Sequence, residues 1–131
     1  MRQRLQDLPT AKLVFVVDDN PSMLRGIGRL LREYGFASRL FETGTALLRH
    51  GGLEGAVCLI LDINLSDGSG IELRHRLAEQ GIELPVIYIT GNDNSATRMA
   101  AMASGCVAYL TKPFTANSLI QPIERLLAGV T

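Results

Sequence analysis

Long apolar runs are missing from this chain. The longest unbroken one, Ala56 to Leu61, falls far short of the ~18 residues that a membrane-spanning helix needs. The segment Met1 to Thr10 carries charges but no apolar core, so no secretory signal is expected there. Cysteine is nearly absent: Cys58 and Cys106 stand alone, and neither belongs to a metal-type spacing. Both lie in or beside apolar runs and are expected to be buried, reduced thiols, which together with the missing export signal points to the cytoplasm. Net charge is missing too, since 13 basic residues balance 13 acidic ones. That removes the electrostatic footprint of a nucleic-acid binder, so no direct nucleic-acid contact and no membrane attachment is expected. Lysine is scarce: Lys12 and Lys112 are the only two among the 13 basic residues.

What is present fits one compact domain. The 131 residues, 47% hydrophobic and 20% charged, suffice for a core without disulfide or metal staples. A single domain over 1–131 is expected, with its core at about 13–128. Short β-rich runs alternate with helical patterns. Leu13–Val17, Phe36–Phe41, Val57–Leu61, Pro85–Ile89 and Val107–Leu110 read as strands. Asn20-Pro21 opens the first helix, and Gly35 stops it. Thr43 caps a short helix to about His50; Ser69 with Glu72 matches a capping box for a helix to about Gln80. Asn94 or Ser95 caps a helix to about Ser104, and the last helix runs from about Thr115 to Ala128, bent by Pro122. His50 and His75 are read as surface residues.

Continuous apolar strands separated by amphipathic helices imply an α/β, doubly wound, five-stranded parallel sheet with five helices, for which the flavodoxin-like order 2-1-3-4-5 is expected. Such sheets bind ligands at the carboxyl ends of their strands. Asp18-Asp19 follow the first run, Asp62 the third, Thr90 the fourth, and Thr111-Lys112-Pro113 the fifth. Each alone is more often a turn residue or a cap. Together they place carboxylates, a hydroxyl and an ammonium on one rim. Crowded carboxylates repel and call for a cation. Oxygen-only ligands suit Mg²⁺, and the rim has no histidine or cysteine for zinc. This is equipment for phosphoryl transfer onto aspartate.

The motifs Val17-Asp-Asp-Asn-Pro21, Leu61-Asp-Ile-Asn64, Ile89-Thr-Gly91 and Tyr109-Leu-Thr-Lys-Pro-Phe114 occur in order at matching strand ends. By them the chain closely resembles the receiver domain of two-component response regulators, from about Leu13 to Ala128. The wording around the last two strands most resembles regulators with a LuxR-type helix-turn-helix output domain. The resemblance implies Asp62 as phosphoacceptor from a sensor histidine kinase or phosphotransfer protein. It implies Mg²⁺ on Asp18, Asp19, Asp62 and the backbone carbonyl of Asn64. It further implies Thr90 and Lys112 on the phosphoryl oxygens, Thr90 and Tyr109 as the switch pair, and a cis Lys112–Pro113 bond. Many members carry proline where Ser66 stands, so the loop after Asp62 is expected to be more mobile. Asn64 and Asn92 lie where the family tunes dephosphorylation.

The output face in the family is the fourth helix, fifth strand and fifth helix. The fourth helix is apolar nearly all round, so Met99, Met102 and Tyr109 are expected on a partner or homodimer face. A stand-alone regulator or phosphorelay intermediate is the alternative to a receiver with an output domain. A phosphatase that forms an aspartyl phosphate would want an acid where Asn64 stands. An FMN binder would want a Ser/Thr/Gly-rich loop where the acid pair stands. A degenerate scaffold would have lost the acid set, which is intact here.

Overall fold

In the computed structural model, residues 12–129 are described; the reading of Met1 to Thr10 concerns residues outside that range. The elements are β1 (Leu13–Val17), α1 (Pro21–Glu33), β2 (Ala37–Phe41), α2 (Gly44–His50), β3 (Cys58–Asp62), β4 (Asn64–Leu65), β5 (Gly68–Ser69), α3 (Gly70–Glu79), β6 (Val86–Thr90), α4 (Ser95–Ala103), β7 (Ala108–Thr111) and α5 (Ala116–Leu127). Five parallel strands form one sheet in the order β2-β1-β3-β6-β7, which is the expected 2-1-3-4-5 with the small hairpin β4–β5 left out.

Alternation along each strand sends side chains to both faces. Val14, Val16, Cys58, Ile60, Ile87 and Ile89 meet α1 and α5 through Leu24, Ile27, Leu31, Leu119, Ile120 and Ile123. Phe15, Val17, Leu59, Leu61, Val86 and Tyr88 meet α2, α3 and α4 through Leu47, Leu73, Leu77 and Ala101. That two-sided cover is why the strands read as unbroken apolar runs.

The helix starts follow local chemistry. Asn20 accepts from the Ser22 and Met23 N–H groups at 2.9 and 3.1 Å, with Pro21 at the first helical position. Thr43 caps α2 through Ala46, and Asn94, not Ser95, caps α4 through Thr97. Gly35 takes φ +87° just beyond the Tyr34 cap, the left-handed turn that ends α1. Ser69 caps α3 by accepting from Ile71, so the expected reciprocal box with Glu72 is replaced by a single bond. Residues of α5 stay helical through Pro122, so the proline does not break the helix.

Several features depart from the sequence reading. Strands β3, β6 and β7 each begin and end one residue later than expected, because the backbone ladder continues past the apolar run to Asp62, Thr90 and Thr111. The loop after Asp62 forms the antiparallel hairpin β4–β5, with Ser66 and Asp67 at its turn. Asp67, to which the sequence reading gave no role of its own, caps α2 from outside: it accepts from Gly44 N–H at 3.2 Å, Thr45 N–H at 3.0 Å and the Thr45 hydroxyl at 2.8 Å. These bonds hold its carboxyl below the usual range, Thr45 contributing most. Cys106 is half-buried, whereas Cys58 is fully buried, its thiol pushed up to about 12 by burial alone and therefore unreactive. His50 is exposed as expected, yet its ring lies edge-on to Phe15 and Phe41, with centroids 5.6 and 5.3 Å away.

The hairpin closes tightly behind Asp62. A Cβ on Gly70 would stand 2.3 Å from the Asp62 carbonyl oxygen, while Gly26 has open space around it. Gly70→Ala is therefore expected to destabilise the fold by about 1–3 kcal/mol through overpacking. Gly26→Ala is expected to stabilise it by about 0.4–1 kcal/mol. Urea unfolding of both variants checks the pair; equal shifts would contradict this account of the hairpin.

Candidate functional site

The carboxyl ends of β1, β3, β6 and β7 lie side by side, so residues distant in the chain meet at one rim. Asp18 directly follows β1 and is fully buried; its Oδ1 accepts from Asn20 N–H at 2.9 Å. Asp62 ends β3 and is 3% exposed; its Oδ1 accepts from Asn64 N–H at 3.1 Å. Asp19, the next residue after Asp18, is exposed. A carboxylate oxygen from each of Asp18, Asp19 and Asp62 lies within 4.8 Å of the others. This donor set is oxygen-only and gathered on one rim, and it fits a hard divalent cation such as Mg²⁺.

Lys112 follows β7 and crosses the site. Its Nζ donates to Asp18 Oδ2 at 2.8 Å and to Asp62 Oδ2 at 3.2 Å. The Lys112–Pro113 peptide is cis. Burial works against the Lys112 ammonium, but Asp18 and Asp62 outweigh it and hold the group above its ordinary value. For Asp62, burial first and Asp18 second push the carboxyl from 3.8 up to about 6, against the pull of Lys112 and the Asn64 N–H. The ammonium therefore lies between two buried acids that would otherwise repel.

Thr90 ends β6 and is fully buried. Its hydroxyl donates to the Asn64 side-chain carbonyl at 3.0 Å and accepts from Asn92 N–H at 3.0 Å. Asn64 entered the sequence reading for its backbone carbonyl and as a flanking position; the use of its carboxamide had no sequence signal. Tyr109, in β7, is half-buried and turned towards the β6–α4 loop, where its hydroxyl donates to Asp93 at 2.8 Å. Arg98 of α4 pairs with the same Asp93 at 2.7 Å and lies over the Tyr109 ring, 4.7 Å from its centroid. Asp93 and Arg98 escaped the sequence reading, since five residues apart they match no helical pair spacing.

Ala101 is the only buried residue of α4, and Met99 and Met102 are 72% and 53% exposed. Nearby, Cys106, Tyr109, Gln121, Pro122 and Arg125 line an open cleft between β7 and α5. The apolar face of α4 is thus at the surface, beside the outward Tyr109. Among the described residues, no helix is long and apolar enough to cross a membrane.

Comparison with known proteins points to one family. Residues 14–124 match the family model described as the response regulator receiver domain. The response regulator protein TmoT of Ectopseudomonas mendocina is 31% identical over 96% of this chain and 56% of its own length. The transcriptional regulatory protein FixJ of Rhizobium meliloti is 31% identical over 86% of this chain and 55% of its own. A crystal structure titled FixJ-N superposes with a TM-score of 0.80 at 29% identity, covering 92% of this chain and 96% of that one. The chain therefore spans about half the length of the curated relatives it matches. With the strand order, the acid-lined rim and a family match that runs from β1 into α5, this chain belongs to the response regulator receiver domain family.

Proposed function

We propose that the chain is a phosphoacceptor switch in which Asp62 takes a phosphoryl group from the phosphohistidine of a sensor histidine kinase or phosphotransfer protein. The observation that carries this reading is the Lys112 ammonium within hydrogen-bond reach of both Asp18 and Asp62, beside a third carboxylate. In the transfer, an ionised Asp62 oxygen attacks phosphorus. A P–O bond forms as the P–N bond breaks, and the electron pair leaves with the donor imidazole nitrogen.

Asp18, Asp19, Asp62 and the Asn64 backbone carbonyl would hold Mg²⁺. When bound, this ion offsets the negative charge on the phosphoryl oxygens. Lys112 keeps its bond to Asp18 and gives its second to a phosphoryl oxygen in place of Asp62. The Thr90 hydroxyl donates to another, and Tyr109 follows it inward. The product is a mixed anhydride that water cleaves, so the chain modifies and demodifies itself slowly and is not a turnover enzyme. The bias that phosphorylation adds is a population shift between two loop and helix arrangements.

The output face in this reading is α4, β7 and α5, with Met99, Met102 and Tyr109 controlling a homodimer contact or an attached output domain. The relatives are about twice as long, and FixJ is named a transcriptional regulatory protein. That favours a receiver domain, its core at about 13–128, serving a LuxR-type transcription regulator over a stand-alone phosphorelay intermediate; the cytoplasm as its compartment rests on the reading of its cysteines as reduced thiols. An aspartyl-phosphate phosphatase is disfavoured, because the position two residues after Asp62 holds an amide already bonded to Thr90.

Incubation with acetyl phosphate and Mg²⁺, followed by intact mass, is expected to add one phosphoryl group to the wild type and none to Asp62→Asn. Equal labelling of both would overturn the assignment. The raised Asp62 carboxyl also has a stability consequence. The folded chain binds that proton more tightly than the unfolded one, so its contribution is fully present below about 4 and declines as pH rises through 3.8 to about 6. In metal-free buffer, Asp62→Asn should therefore gain stability relative to the wild type as pH is raised from about 4 to about 7. Urea unfolding reads the gap, and a gap that stays constant contradicts the assigned burial cost. Finally, Met99→Lys with Met102→Lys should abolish phosphorylation-dependent association in sedimentation while leaving labelling intact; unchanged association would remove this face from the output.

A further inference from the structure

We infer that the Asn64 carboxamide is a positioning residue that holds the Thr90 hydroxyl away from Asp62 and so sets the threshold for switching. The inference rests on the phosphoacceptor reading of Asp62.

A hydroxyl has a single proton to donate. In Thr90, the Oγ already accepts from Asn92 N–H at 3.0 Å, so the proton goes to Asn64 Oδ1, also at 3.0 Å. Thr90 has no exposure, so water does not reach its hydroxyl and the Asn64 carboxamide is the acceptor within its reach. A group attached to Asp62 recruits that proton only by taking it from Asn64. The competition is local, because Asn64 holds both partners at once: its N–H binds Asp62 Oδ1 at 3.1 Å while its side chain binds Thr90.

The latch is also rigidly mounted. Asn64 pairs with Ser69 across the hairpin, and the Gly70 N–H donates to the Ile63 carbonyl at 2.9 Å. The three Asp67 bonds fix the hairpin turn to the start of α2. A preorganised acceptor loses little entropy in keeping its partner, which makes the latch effective even though Asn64 itself faces solvent.

Removing the carboxamide leaves the buried Thr90 donor without a protein partner and free to turn. Asn64→Ala keeps the backbone carbonyl and N–H, and because Asn64 is exposed the substitution leaves the packed core untouched. The expected outcome is a tighter response to beryllofluoride, a phosphoryl analogue, at saturating Mg²⁺: the half-saturating concentration falls by about 5- to 150-fold, the range for a buried donor left unpaired until the analogue arrives. The same substitution in a Thr90→Val background should change it less than about twofold, because the latch has nothing left to hold. Without any metal or analogue, Asn64→Ala should also move the Thr90 methyl resonance towards its beryllofluoride-bound position. An Asn64→Ala effect below twofold, or one that persists in full with Thr90→Val, overturns the latch while leaving Asp62 as acceptor. A wild type that does not bind beryllofluoride overturns the phosphoacceptor reading and the latch with it.

Discussion

The ammonium of Lys112 is the interaction on which the rest of the site depends. It lies 94 residues from Asp18 and 50 from Asp62 in the chain, yet touches both carboxylates. Two buried acids at this separation are unfavourable without a cation, and removing one partner of a buried pair typically costs about 3–5 kcal/mol. The Asp62 carboxyl stays raised despite the lysine, by burial first and by Asp18 second. A site poised in this way has a use for more positive charge and for a group that relieves Asp62 of its proton competition. In the proposed reading, a divalent cation and a phosphoryl group would supply both.

The fold delivers that arrangement through its strand order. Parallel pairing aligns the carboxyl ends of β1, β3, β6 and β7, so the first polar residue at the end of each apolar run arrives at the same rim. The hairpin β4–β5 then closes one side, pressed so close behind Asp62 that Gly70 has no room for a side chain. Asp67 ties that hairpin to α2, a restraint supplied at a loop that lacks the family's common proline at Ser66. On the other side, the Asp93–Arg98–Tyr109 contacts hold the aromatic ring outward beside the exposed Met99 and Met102. Thr90 stands between these two regions, bonded to Asn64 on one and to Asn92 on the other.

Much of this was legible in residue order. Asn20, Thr43 and Asn94 announced helix starts because their short polar side chains satisfy the first free N–H groups, and they do so here. The apolar runs announced strands because both sheet faces are covered. The strand limits were less legible, since hydrophobicity marks burial while the ladder follows backbone pairing, and Asp62, Thr90 and Thr111 pair as well as any apolar residue. Long-range uses of small polar side chains left no pattern at all. Nothing near Asp67 indicates that it would cap a helix 22 residues upstream, and nothing near Asn64 indicates a bond to Thr90. Cys106 was misplaced for a similar reason: its apolar neighbours lie at the start of an edge strand, which covers it only partly.

The central claim is that Asp62 is the acceptor and that Lys112 and Thr90 turn to the group it receives. A crystal structure of the chain with beryllofluoride and Mg²⁺ tests this most directly. The account predicts beryllium bonded to an Asp62 oxygen, Lys112 Nζ and the Thr90 hydroxyl each at about 3 Å from a fluorine, and the bond from Thr90 to Asn64 broken. Beryllofluoride bound elsewhere, or bound to Asp62 with Thr90 still donating to Asn64, would contradict it.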